Sequence, residues 1–111
     1  MGLLNMKKVV ILTLALSATC LWLTSTNTAQ ATANGEELFK QRCSACHANG
    51  GNIINPQKSL HKATREANKV NTVEAIIDKM RNPGPGMSTF DANILPDSDA
   101  KAIAEYILKT F

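Results

Sequence analysis

What this chain has little of narrows its reading first. Its 111 residues include one Trp, one Tyr and three Phe, and only 19% are charged. Trp22 lies in an apolar leading stretch, so the remainder must build a core from Phe39, Phe90, Tyr106, Phe111 and aliphatic side chains. Blocks of like charge are absent, and no aromatics are interleaved with basic residues as nucleic-acid binding requires. No window shows the strict alternation of a half-buried strand. The longest apolar run, Val9 to Leu23, is interrupted by Thr13, Ser17 and Thr19, whereas a membrane-spanning helix needs roughly 20 apolar residues. One small domain is all that this length accommodates.

What is present is unevenly distributed. Lys7 and Lys8 precede the apolar run, and the polar stretch after it ends Thr28-Ala29-Gln30-Ala31, a small-x-small pattern. That three-part order is the signature of an export signal, with cleavage expected after Ala31, or alternatively after Ala33. Cys20 follows Ser17-Ala18-Thr19 inside the apolar run, a poor match to a lipid-anchored cysteine, and leaves with the signal. The domain proper is then 32–111. Removal of Lys7 and Lys8 brings the basic and acidic residues close to balance, so the precursor's charge of +3 says nothing about a polyanionic partner. A domain of this size buries only about 60% of its unfolded surface and needs something to staple it.

Two cysteines remain, in Cys43-Ser44-Ala45-Cys46-His47. C-x-x-C followed at once by His is the attachment signature of c-type haem. Each thiol adds across one vinyl group of the porphyrin, and the adjacent imidazole is placed under the iron. Competing uses of the motif fare worse. A thioredoxin-like pair needs a βαβ setting that the pattern lacks. Structural zinc needs about four ligands, and His61 is the only further candidate. A Cys43–Cys46 disulfide would close too small a loop to stabilise much. Haem c, one per chain, also supplies the apolar centre that the sequence is short of.

Around the motif the pattern is helical. Asn34 reads as an N-cap with Glu36 and Glu37 in the first turn, and Phe39 shares a face with Cys43. From Ala48 to Val70 the chain is rich in turn formers and reads as an irregular loop, with Ile53, Ile54 and Leu60 as apolar cover. Some group there must accept the His47 ring N–H; its identity stays open. Asn71-Thr72-Val73-Glu74 opens a second helix that Pro83-Gly84-Pro85-Gly86 terminates. Met87 follows that stiff loop and is the candidate axial sulfur ligand, with Met80 at the helix end as competitor and His61 read as a solvated side chain. A last helix from about Asp97 to Lys109 carries an apolar stripe of Ala102, Ile103, Tyr106 and Ile107, with Asp97, Ser98 and Asp99 supplying its cap and dipole charge and Lys109 at the other end. Gly35 permits it to cross the first helix closely, near Phe39 and Tyr106.

These residues resemble the small class I cytochromes c, in particular the cytochrome c6 family of cyanobacterial and algal photosynthesis. The resemblance spans the domain: Ala33-Asn34-Gly35 with Phe39, Cys43 to Ala48, Gly50-Gly51-Asn52, Lys58-Ser59-Leu60, Ala75-Ile76-Ile77, Met87, and Ala104-Glu105-Tyr106-Ile107-Leu108. It implies an all-α fold of about four helices around a covalent haem, the terminal helices crossing, with Cys43 and Cys46 as attachment points and His47 and Met87 as axial ligands. It further implies a monomeric one-electron carrier, not an enzyme, exported to the thylakoid lumen or a periplasm without membrane insertion. Its partners would be the cytochrome b6f complex and photosystem I. A terminal cytochrome oxidase as acceptor, or a sensor or peroxidase-like role, is the alternative. The ligand loop departs from the family: Met87-Ser88-Thr89-Phe90 stands where Met-Pro-Ala-Phe is usual, and Met80-Arg81 occupies the stretch where the family often has a glutamine near the haem.

Overall fold

The computed structural model describes residues 34–111; the expected signal at 1–31 lies outside the described residues. Among the described residues five α-helices occur where about four were expected: α1 (Gly35–Arg42), α2 (Ser44–His47), α3 (Lys62–Ala67), α4 (Val73–Arg81) and α5 (Asp97–Thr110). Two 3-10 turns, Ala48–Gly50 and Pro56–Lys58, lie between α2 and α3, and no strand occurs among the described residues.

Local chemistry accounts for most of these boundaries. The Asn34 side chain accepts the Glu36 N–H at 3.1 Å, and Glu36 and Glu37 sit where the helix dipole favours negative charge. Thr72 caps α4 by accepting the Ala75 N–H at 3.1 Å, and α4 ends at Arg81 just before Pro83. At α5 Asp97 and Asp99 lie in the first turn, as the dipole favours, but the expected side-chain cap is corrected. The N-cap position is Pro96 with no side-chain cap bond, and Asp97 lies one residue inside the helix with its carboxylate turned to Arg81 at 2.6 Å.

The loop expected from Ala48 to Val70 is also corrected, because α3 lies within it. Its sequence, Lys-Ala-Thr-Arg-Glu-Ala, carries no apolar stripe, and its one buried side chain is Arg65. The guanidinium reaches the Ile107 carbonyl at a long 3.4 Å, and among the described residues its Nε has no hydrogen-bond partner.

The core is Phe39, Ile76, Met80, Leu95, Ala100, Ile103, Ala104 and Ile107, drawn from α1, α4, α5 and the turn before α5. α1 and α5 cross at Gly35, where a Cβ would stand 2.1 Å from the Ala102 oxygen and 3.1 Å from Tyr106 Cβ. Glycine is therefore obligatory for that approach. Beside the crossing Phe39 packs on Tyr106 and Phe111 with ring centroids 5.3 and 5.4 Å apart. Tilted and edge-on packing of this kind adds to burial. The close crossing near Phe39 and Tyr106 is the one expected from Gly35.

Candidate functional site

The break between α1 and α2 falls on Cys43, whose φ of −122° leaves the helical range. Its carbonyl nevertheless accepts the N–H groups of Cys46 at 3.2 Å and His47 at 2.9 Å, so the three residues share one tight turn. Neither thiol is paired, and both are half-buried. Burial pushes the Cys43 thiol up to about 11, with the Arg42 charge pulling slightly the other way.

His47 is oriented locally. Its Nδ1 lies 2.8 Å from the Gly51 carbonyl oxygen. A carbonyl can only accept, so Nδ1 is the donor in this contact, and of the two neutral tautomers the contact selects the one with its lone pair on Nε2, which an imidazole ligand needs. The turn that brings Gly51 back is built from two left-handed residues, Asn49 at φ 53° and Gly50 at φ 76°. Gly50 has a second constraint, since a Cβ there would meet the Phe111 ring at 2.5 Å. The Asn-Gly pair signalled a turn, but a carbonyl acceptor leaves no trace in side-chain chemistry, so Gly51 could not be named from the sequence.

Asn52 organises the next stretch, accepting the N–H groups of Ile54 and Asn55 at 3.0 and 2.9 Å and donating to the Lys58 carbonyl at 3.2 Å. Ile53 and Ile54 are exposed, whereas Leu60 is half-buried against the core. The segment carrying Met87 meets this one. Gly86, at φ 90°, lies against Ile54, whose Cγ2 would be 3.1 Å from a Cβ added there. The Ile53 N–H in turn donates to the Cys46 carbonyl at 3.1 Å.

The two methionines are distinguished by their surroundings. Met80 is 4% exposed, among the apolar side chains of the core, while Met87 is 37% exposed. His61 is exposed at the N-cap of α3, edge-on to Phe111 at 6.3 Å. Among the described residues no three His, Cys, Asp or Glu side chains converge to hold a metal by themselves. The donor set thus fits a haem: two unpaired thiols on one turn, an imidazole with Nε2 available, and one accessible thioether.

A family model described as "Cytochrome C oxidase, cbb3-type, subunit III" matches residues 30–107. The chain is 45% identical over 76 residues to cytochrome c6 of Cyanidioschyzon merolae, covering 68% of this chain and 71% of that one. It is 44% identical over 75 residues to cytochrome c6 of Bumilleriopsis filiformis, covering 68% and 86%. Among solved structures, OmcF, an outer membrane cytochrome F from Geobacter sulfurreducens, aligns with TM-score 0.68 at 45% identity, over 69% of this chain and 98% of that one. Cytochrome c6C from Synechococcus sp. PCC 7002 aligns with TM-score 0.65 at 32% identity, over 68% and 92%.

Helices α1 and α5 crossed beside a C-x-x-C-H turn define a class I c-type cytochrome. Its cofactor is covalently bound haem c, and its business is electron transport. The chain belongs to the cytochrome c6 family.

Proposed function

We propose that Cys43 and Cys46 would hold the haem through thioether bonds, that His47 Nε2 and the Met87 sulfur would ligate its iron, and that the protein shuttles single electrons between larger complexes. When bound, the iron supplies a one-electron couple that a His/Met ligand pair shifts toward the ferrous state. The observation that carries this reading is the Nδ1 contact of His47 with the Gly51 carbonyl, immediately after the C-x-x-C turn. It fixes the tautomer and the ring plane, and a hydrogen bond to the distal nitrogen raises the basicity of the ligating one. Met87 offers a soft, neutral sulfur from a segment that packs on Ile54. Two ligands held by separate parts of the fold keep the site closed to exogenous ligands, which suits a carrier and not a sensor or peroxidase.

The electron path we assign runs from the cytochrome b6f complex to photosystem I. The support is the cytochrome c6 name shared by relatives at 40–45% identity, such as those of Cyanidioschyzon merolae, Bumilleriopsis filiformis and Porphyra purpurea. On this reading residues 1–31 are cleaved, and the domain 32–111 is a soluble monomer in the thylakoid lumen or a periplasm. Among the described residues no helix is long and apolar enough to cross a membrane. A second reading, donation to a terminal cytochrome oxidase, is favoured by the description of the matching family model and by the likeness to a Geobacter outer membrane cytochrome.

Spectroscopy of the parent protein and Met87→Ala tests the site. The ferric parent should show the near-infrared sulfur-to-iron band, and its reduced spectrum should not change under carbon monoxide. Met87→Ala should lose the band and bind carbon monoxide. Survival of the band would transfer the role to Met80. A redox titration then separates the paths: a clearly positive potential suits photosystem I donation, and a low one sinks it.

A further inference from the structure

The loop that carries Met87 has little internal structure to hold its shape. Its one internal backbone hydrogen bond, from the Met87 N–H to the Gly84 carbonyl, is 3.4 Å long, and residues 84–89 are exposed. Pro83 and Pro85 restrict two φ angles, but Gly84 and Gly86 return that freedom. The position of the sulfur therefore depends on how the loop is fastened where it meets the fold.

That fastening is concentrated at Phe90. Its N–H donates to the Met80 carbonyl at 2.9 Å, and its carbonyl accepts from Arg81 Nη1 at 2.6 Å. Both backbone polar groups of one residue are thus tied to the end of α4. The other arm of the same guanidinium, Nη2, donates to Asp97 Oδ1 at 2.6 Å in the first turn of α5. The Arg81 side chain is 19% exposed although Asp97 is 85% exposed, and the pair joins two helices, whereas Lys40–Glu36, Lys62–Glu66 and Lys101–Glu105 each lie on a single helix. A planar fork can meet a carbonyl and a carboxylate at once, which a lysine ammonium at the end of a flexible stem cannot do with the same geometry.

We infer that Arg81 is a positioning residue for Met87: by joining the Phe90 carbonyl to α4 and α5 it holds the ligand loop closed, and so keeps the sulfur on the iron. The inference rests on the reading of Met87 as an axial ligand. The Arg81 guanidinium bonds to the Phe90 carbonyl and to Asp97, not to Met87; it acts through Phe90, three residues beyond Met87. Removing the guanidinium leaves a half-buried carbonyl without its charged donor, a loss that should populate the loop-open form about 10- to 100-fold more.

The test uses the haem-loaded protein and imidazole as a probe of the sixth position in the ferric state, alongside the near-infrared sulfur-to-iron band. Arg81→Met should bind imidazole about 10- to 100-fold more tightly than the parent and lose the band at lower pH. Arg81→Lys should fall between the two, since it keeps the charge and only one contact. Ile103→Val, which removes one core methyl group from α5 and none of the Arg81 hydrogen bonds, should leave imidazole binding as in the parent, whereas a merely structural Arg81 would make both variants alike. Parent-like imidazole binding by folded Arg81→Met, or an equal rise in Ile103→Val, would overturn the inference. Should Arg81→Met yield no haem protein, Arg81→Lys decides by the same criterion. Met87→Ala separates the two layers: if it keeps the band, the ligand reading has failed; if it loses the band while Arg81→Met stays parent-like, only the clamp has failed.

Discussion

Replacing Gly35 by alanine tests how closely α1 and α5 approach. Two effects oppose each other. Alanine favours helix over glycine by up to about 1 kcal/mol, and less than that at the first helical position. Against this, the new Cβ would stand 2.1 Å from the Ala102 oxygen, where ordinary contact begins at 3.4 Å. The obstacle is backbone in the interior of α5, which cannot rotate aside like a side chain, so the helices must separate by more than an ångström. Such a shift loosens Phe39 from Tyr106 and from Phe111 together. Overpacking of this kind costs about 1–3 kcal/mol, and the lost aromatic contact adds to it. We expect Gly35→Ala to be less stable by about 2 kcal/mol after the helix-propensity gain is deducted, which for a domain of this size lowers Tm by about 8–16 °C. The assay is thermal and guanidinium unfolding of the haem-loaded protein, followed by circular dichroism and haem absorbance. Gly84→Ala is the control, since its Cβ would meet only Lys58 Nζ at an ordinary 3.7 Å, and it should change stability by less than about 0.5 kcal/mol. A Gly35→Ala protein as stable as the parent would refute the steric account of the crossing.

Two further substitutions probe the rest of the fold. Gly50→Ala combines a left-handed φ of 76° with a Cβ 2.5 Å from the Phe111 ring. It should cost about 2–4 kcal/mol, clearly more than Gly51→Ala, whose Cβ would stand 3.2 Å from the Ala48 oxygen; equal losses in equilibrium unfolding would refute the distinction. Arg65→Met replaces a buried guanidinium, which makes one long hydrogen bond to the Ile107 carbonyl, by an apolar chain of similar length. It should raise stability by about 1–3 kcal/mol in guanidinium unfolding, and a loss would show that the charge is compensated.

How much of this was legible in the residues depended on how local the physics is. α1, α4 and α5 announce themselves through caps, apolar spacing and proline, and Gly35 marks a close crossing because nothing larger fits. The Cys43 to His47 turn is written outright. α3 was hidden because its buried position is occupied by Arg65, which a hydrophobic pattern counts as solvent-facing. The Gly51 carbonyl was hidden because every residue has one, and only the left-handed turn at Asn49 and Gly50 selects it. Asp97 shows the third kind of failure. Its position predicts a cap, yet a long-range partner, Arg81, takes the carboxylate, and no window of sequence short enough to read contains both.

The His47 contact with Gly51 bears on the order in which the molecule is made. Everything that orients the imidazole lies between Cys43 and Gly51, so the geometry of that segment can form before any distant part of the chain arrives. The α1–α5 crossing is the opposite case: it joins the two ends of the described segment, and closing so long a loop is an entropic debt that comes due before any contact repays it. A segment of that kind can bring the two thiols and the imidazole together without any distant contact, whereas the packing of Phe39 on Tyr106 and Phe111 has to wait until the ends of the described segment meet.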